Sequence, residues 1–468
     1  MDKMTRRQFA LAGIGGAGLA ATMLATENQP QGHAAGKRPN IIFLLTDDQR
    51  WDALGCMGND IIHTPHIDNM AAEGVIFDNA FVTTSICAPS RATFLSGQYV
   101  CRHGINNFHD TFSPEQWAKT YPALLREAGY ATGFVGKYGV GRDMPEKAFT
   151  YWRGYAGQGH YEQEDEDGNY IHLTQVHEND SLAFLREYGT EGPFCLSVSF
   201  KAPHCQDGDP RQFIYDPRYS ELYEDALIPP PESADDKYFE RFPDFFRENN
   251  EARNRWKKRF SDPVLYQEMV HGYYRLITGV DRVVGAIRDE LETLRVADNT
   301  IIIFMSDNGF YLGDYGLAGK WYGHDPSIRV PLVVYDPRLP ESQRGTRRSE
   351  QALNLDIAPT MLAMAGLPCP DGIQGKDLAP LLYGRETAWR DDFYYEHTFD
   401  HPGIPKSEGV VGVRYKYLRY YEADPVYEEL YDREKDPLEV QNLADDPAHA
   451  ELLATMRSRC DALKETVC

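Results

Sequence analysis

The sequence predicts an α/β protein: a large mixed, mostly parallel sheet flanked by helices, followed by a smaller C-terminal α+β subdomain built on an antiparallel sheet. Three observations carry this. Five continuous apolar, β-branched runs recur up to Tyr335, and uninterrupted strands of that length belong to sheets covered on both faces. Helical patterns separate them; Met269, Tyr273, Ile277, Val280, Val284, Ile287, Leu291 and Leu294 fall at three- and four-residue spacing and make one long amphipathic helix. From about Trp389 the pattern changes to short aromatic and charged segments, as in antiparallel strands.

Residues 1–36 come before the fold. Thr5-Arg6-Arg7-Gln8-Phe9-Ala10-Leu11 and the uncharged Gly/Ala-rich run after it match a twin-arginine export signal and linker, cleaved between about Ala25 and Gly36. Gly13, Gly15, Gly16 and Gly18 make that run a poor anchor, and no other stretch is long and apolar enough to span a bilayer. The expectation is a soluble protein passed through the twin-arginine machinery to the periplasm or outside the cell.

The main domain is expected over residues 37–388. Its run at 40–46 leads into Asp47-Asp48, the run at 131–136 into Lys137, and the run at 194–200 into Lys201-Ala202-Pro203-His204. The run at 300–305 leads into Ser306-Asp307-Asn308-Gly309, and the run at 330–335 follows a loop carrying Lys320. In open α/β sheets ligands bind beyond the carboxyl ends of the strands, so Asp47, Asp48, Lys137, His204, Asp307 and Asn308 are expected on one rim. Residues 229–263, opening on Pro229-Pro230-Pro231, are polar and charged and read as a surface excursion. The subdomain at 389–468 holds runs at 393–397, 411–420 and 429–431, then a helix from about Pro447.

With 468 residues the chain can bury a core unaided by staples. Lys+Arg 48 against Asp+Glu 71 gives a net charge of -23, which repels nucleic acid, although a recessed cluster of two or three cations can still bind a small anion. Eight scattered cysteines, none in a CxxC pair, form neither a small-domain disulfide framework nor a zinc site.

The most specific motif is Cys87-Ala88-Pro89-Ser90-Arg91, continued by Leu95-Ser96-Gly97. Asp47, Asp48, Asp307 and Asn308 offer oxygen ligands only, which suits a hard cation, calcium or magnesium. Singly, each residue has an ordinary reading: a turn, a cap, a solvated charge or a small buried thiol. Together, in order at strand ends, they point to one site.

That set resembles the type I sulfatases of the alkaline phosphatase superfamily, whose signature is Cys-x-Pro-Ser-Arg with a Gly about six residues on. Thr46-Asp47-Asp48, Gly136-Lys137, Ala202-Pro203-His204, Ser306-Asp307-Asn308-Gly309, Gly319-Lys320, Ser327-Ile328-Arg329-Val330-Pro331 and Glu429-Leu430-Tyr431-Asp432 look like the family's motifs in the family's order. The resemblance implies an alkaline phosphatase-like fold and oxidation of Cys87 to formylglycine by a formylglycine-generating or radical maturation enzyme. It also implies one calcium ion on Asp47, Asp48, Cys87, Asp307 and Asn308. In the hydrated aldehyde one hydroxyl attacks sulfur and the other later expels sulfate, so no water need attack a hindered ester. The cation would lower the hydroxyl pKa and polarise a sulfate oxygen. Arg91 would hold nucleophile and ligands, Lys137 and Lys320 would neutralise sulfuryl oxygens, and His204 would protonate the departing alcohol.

The family commonly carries Gly-Lys-x-His where this chain has Gly136-Lys137-Tyr138-Gly139. Either a nearby histidine or carboxylate takes over as base, or turnover is slow at regeneration; in the second case Gly139→His speeds steady-state turnover more than the burst. His324 and His397, with Asp325, Glu396 and Lys406, fall near family positions that line the leaving-group pocket, and His109 and Arg142 are further loop candidates. An exported, aromatic-rich enzyme suits a sulfated carbohydrate. Two other readings compete: a phosphonate monoester or phosphodiester hydrolase of the same superfamily, and a non-catalytic, calcium-dependent binder of sulfated glycans.

Overall fold

An eight-stranded sheet runs through the protein in the order Thr346–Arg348, Val75–Phe77, Leu332–Tyr335, Thr300–Ser306, Asn40–Asp47, Phe194–Pro203, Ala131–Lys137 and Tyr151–Tyr155. It is seen in a computed structural model that describes residues 37–468 as one compact unit; the export-signal reading falls on residues 1–36, outside the described residues. Asn40–Asp47 pairs in parallel with both Phe194–Pro203 and Thr300–Ser306, and Ala131–Lys137 pairs in parallel with Phe194–Pro203. Their carboxyl ends therefore share one edge. Leu332–Tyr335 departs from the expected parallel direction: it runs antiparallel to Val75–Phe77 and to Thr300–Ser306, which makes the sheet mixed.

Both faces of the sheet are buried because the strand side chains alternate between two cores. Ile41, Phe43 and Leu45 enter one, together with Phe94 and residues of the C-terminal sheet; Ile42 and Leu44 enter the other. Helix Pro263–Thr293 lays Tyr273, Ile277, Val280, Val284 and Ile287 onto that second face. Each such fully buried side chain is worth about 1.5–3 kcal/mol.

The C-terminal sheet is four-stranded and antiparallel: Asp392–His397, Ser407–Gly412, Tyr415–Tyr420 and Tyr427–Asp432. The run read as one strand over 411–420 is a hairpin, with Val413 and Arg414 between its two strands. Helix Ala450–Val467 follows, and Cys468 forms a disulfide with Cys101, just beyond helix Cys87–Ser96. Among the described residues no helix is long and apolar enough to cross a membrane.

The excursion differs most from its sequence reading. Phe239, Phe242, Phe246 and Ala252 are buried in a third core with Tyr311, Tyr315, Leu317, Trp321 and Tyr322. Most of the charges around them face out, Arg241 and Arg259 excepted, while the phenylalanines clamp the segment to the loop that carries Lys320.

Candidate active site

Helix Cys87–Ser96 starts at the strand-end edge, and Cys87, 1% exposed, is its first residue. The Cys87 thiol donates to Asp47 Oδ1 (3.4 Å) and accepts from Lys320 Nζ (3.0 Å). Ligand atoms of Asp47, Asp48, Cys87 and His204 all lie within 4.8 Å of one another. Asp48 takes a left-handed backbone (φ 66°), which turns the chain at the strand end so that both adjacent carboxylates reach the cluster.

Three cations and an imidazole hold these groups. Lys137 Nζ donates to Asp47 Oδ2, and Lys320 Nζ to Asp48 Oδ1. Arg91 Nε donates to Asp307 Oδ2 (2.8 Å), Nη1 to the Lys137 carbonyl (2.8 Å) and to Ser199 Oγ, and Nη2 lies 3.4 Å from Asp47 Oδ2. Asp307 Oδ1 accepts the Asp48 N–H (3.2 Å). His204 Nε2 is 3.5 Å from Asp48 Oδ2, and its Nδ1 donates to the Cys205 carbonyl (2.6 Å).

The electrostatics follow from this packing. Burial pushes the Cys87 thiol up to about 12, with the Asp47 charge adding to it, so as cysteine the residue is a thiol at neutral pH. Burial would also raise Asp47, yet Lys137, His204, Arg91 and Lys320 together hold its carboxyl well below the usual range. Burial and the Asp47 charge lift Asp307 to about 6, and burial lowers His204 to about 4. Asn308 Nδ2 donates to Asp48 Oδ1 (2.7 Å), while Asn308 Oδ1 is buried without a hydrogen-bond partner. A buried carbonyl oxygen left unpaired beside two carboxylates, with no imidazole or thiolate required, fits a hard divalent cation.

Asp47, Asp48, Cys87, Arg91, Lys137, His204, Asp307, Asn308 and Lys320 thus come together. The leaving-group candidates do not. His324 is fully buried, with Nδ1 bonded to Tyr311 (2.8 Å) and Nε2 to Glu429 (3.0 Å), so both ring nitrogens serve the fold. His397 is equally buried, in strand Asp392–His397, and burial lowers it to about 3; it offers a ligand no surface. Asp325 is pinned by Lys416 (2.6 Å) and Arg433 (3.0 Å), and Glu396 accepts the Cys101 N–H (3.1 Å). Lys406 pairs with Glu422 and Asp400, and exposed His109 and Arg142 bond each other (3.1 Å). Sequence reasoning missed Gln158, whose Oε1 accepts from Lys137 Nζ (2.8 Å). It follows a strand, Tyr151–Tyr155, too broken by Arg153 and Gly154 to be read as apolar.

An acid-lined cation pocket, flanked by two lysines and an arginine around a buried helix start at the rim of a parallel sheet, defines a hydrolase of anionic esters. The class can be made specific: the family model Sulfatase matches residues 39–367, so the chain belongs to the sulfatase family, as a type I sulfuric ester hydrolase of the alkaline phosphatase superfamily. A second model, N-sulphoglucosamine sulphohydrolase, C-terminal, matches residues 313–466. The chain is 29% identical to an N-acetylglucosamine-6-O-sulfatase of Bacteroides thetaiotaomicron over 91% of its own length and 86% of the relative's. It superposes with TM-score 0.80 and 26% identity on a solved enzyme in complex with its substrate D-glucosamine-2-N,6-O-disulfate, covering 92% of this chain and 98% of that one. It shares the fold of the phosphonate monoester hydrolase of Agrobacterium radiobacter (TM-score 0.72, 22% identity, 92% and 96% covered).

Proposed function

We propose that this enzyme removes sulfate from a sulfated carbohydrate, with Cys87 matured to formylglycine and one calcium ion beside it. The observation that carries this reading is the convergence of Asp47, Asp48, Cys87 and His204 within 4.8 Å under Lys137 and Lys320. As a thiol Cys87 is a poor nucleophile, its pKa raised to about 12. The hydrated aldehyde would supply one hydroxyl for attack and a second for release of sulfate. Asp47, Asp48, Asp307 and Asn308 would hold calcium, which would acidify the nucleophile and polarise the ester.

The chain's own residues do the rest. Lys137 and Lys320 trade their carboxylate partners for sulfuryl oxygens and stabilise the charge that grows there. Arg91 fixes Asp307 and the Lys137 backbone, so only the ammonium ends of the lysines need to move. His204 keeps its Nδ1 proton on the Cys205 carbonyl, so it acts as acid at Nε2 once the ring is protonated to imidazolium, a form that the charge of a bound sulfate favours, and it then passes the Nε2 proton to the departing sugar oxygen. Residues 37–388 carry this chemistry, 389–468 form the subdomain docked on it, and residues 1–36 direct twin-arginine export after a maturation enzyme acts on Cys87.

The mass of the tryptic peptide over residues 51–91 tests the nucleophile: maturation removes about 18 Da at Cys87. Sulfate release from glucosamine 6-O-sulfate then tests the activity, with Cys87→Ala as the inactive control. An unmodified thiol after co-expression with a competent maturation enzyme rejects the reading and favours a calcium-dependent glycan binder. Faster cleavage of a phosphonate ester than of a sulfate ester of the same alcohol favours the phosphonate hydrolase.

A further inference from the structure

The excursion delivers charge to the neighbourhood of His204. Its helix Glu251–Arg259 packs against Ala318–Gly319, the two residues before Lys320. Arg255 Cδ lies 3.7 Å from the point a Cβ on Gly319 would occupy, and the Arg255 guanidinium is 5.0 Å from the ring centre of Trp321, the residue after Lys320. Arg255 Nε donates to Glu251 Oε1 (2.8 Å), and Nη1 stands 3.6 Å from Asp207 Oδ2. Asp207 is itself fixed: its Oδ1 accepts from Arg259 (2.9 Å), a guanidinium only 1% exposed.

His204 bridges two groups. One is the nucleophile cluster; the other is His204, Cys205 and Asp207, again within 4.8 Å of one another. The side chains of Asp207 and Arg255 are 49% and 21% exposed, whereas those of Asp47, Asp48, Arg91, Lys137, His204 and Lys320 are at most 4% exposed. The Asp207–Arg255 pair is therefore the charged surface beside the residue that protonates the leaving sugar. With Asp207 beyond hydrogen-bond distance, the terminal nitrogens of Arg255 keep donors for a ligand, and a guanidinium fork held against an aromatic ring suits a planar or tetrahedral oxyanion.

We infer that Arg255, positioned by Trp321, Glu251 and Asp207, is a specificity-determining residue that binds a second sulfate on the sugar whose ester is cleaved. This rests on the carbohydrate-sulfatase reading above. The test is kcat/KM of the matured enzyme on D-glucosamine-2-N,6-O-disulfate and on glucosamine 6-O-sulfate. Arg255→Gln should lower the ratio of disulfate to monosulfate activity by about 10- to 100-fold, mostly through KM, the size expected for one charge-assisted contact. Arg255→Lys should recover part of it, because charge returns without the fork. An unchanged ratio in Arg255→Gln overturns the inference, whether or not overall activity falls. Absence of wild-type turnover on both sugars rejects the functional reading instead. In that case calorimetric affinities of the Cys87→Ala protein for the two sugars, with and without Arg255→Gln, decide the role of Arg255: an unchanged affinity ratio overturns it and a ratio lowered about 10-fold or more supports it.

Discussion

Restoring the histidine that the family carries at position 139 should harm this enzyme. Gly139 has φ +74°, where a side chain costs about 1–2 kcal/mol. A Cβ there would lie 2.7 Å from Arg91 Cδ and 3.5 Å from Lys137 Cε. Arg91 cannot yield freely, since it is buried and bound to Asp307, Ser199 and the Lys137 carbonyl. Overpacking of this kind adds about 1–3 kcal/mol, so Gly139→His should cost about 2–5 kcal/mol in all. At about 2.1 cal/mol/K per residue of unfolding entropy, a folded unit spanning Lys37–Cys468 loses about 1 °C in Tm per kcal/mol, hence about 2–5 °C. Displacing Arg91 loosens Asp307 and Lys137 together, and loss of one charge-assisted contact lowers the rate about 10- to 100-fold. Thermal unfolding and pre-steady-state release of the alcohol check this, with Gly139→Ala as the variant that has the clash and no imidazole. The packing around Gly139 thus opposes the outcome expected if regeneration is slow, that Gly139→His speeds steady-state turnover. Steady-state turnover that rises by a larger factor than the burst, with Tm unchanged, would refute the argument.

Three further outcomes are expected. Calcium at about a hundred times its dissociation constant should stabilise the wild type by about 2.7 kcal/mol, and Asn308→Ala, which removes the unpaired Oδ1, should lose most of that shift in calcium-dependent melting. Glu396 has a folded pKa raised to about 7 by burial, above its ordinary 4.5, so the folded state holds the proton longer and stability falls as pH rises from about 4.5 to 7. Urea titrations across that range should show a decline of about 3 kcal/mol that Glu396→Gln flattens. Cys468→Ser opens a loop of sequence separation 367 and should lower stability by about 3–5 kcal/mol, an effect that a reductant reproduces in the wild type and leaves absent in the variant.

What could be read in advance was local. Asp47-Asp48, Lys137, His204 and Asp307-Asn308 each terminate an apolar run, so their placement on one edge needed only parallel pairing of neighbouring strands. Strand direction is not local: nothing within Leu332–Tyr335 says that it runs antiparallel to Thr300–Ser306. The burial of His324 and His397 could not be read in advance because it depends on what packs over a loop or strand, here Tyr311, Glu429 and the C-terminal sheet. The excursion did carry a signal, since Phe239, Phe242 and Phe246 stand three and four residues apart, but prolines and charges around them obscured it.

That aromatic clamp bears on how recognition can be re-engineered. Arg255 and the phenylalanines that clamp the segment lie in one continuous stretch between strand Phe194–Pro203 and helix Pro263–Thr293, outside the sheet that aligns the reacting groups. A graft of a foreign excursion can leave the nucleophile untouched, provided that Tyr311, Tyr315 and Tyr322 travel with it. Transplanted alone, the segment would meet a mismatched aromatic bed, and the resulting slack would reach Lys320 before it reached the sugar.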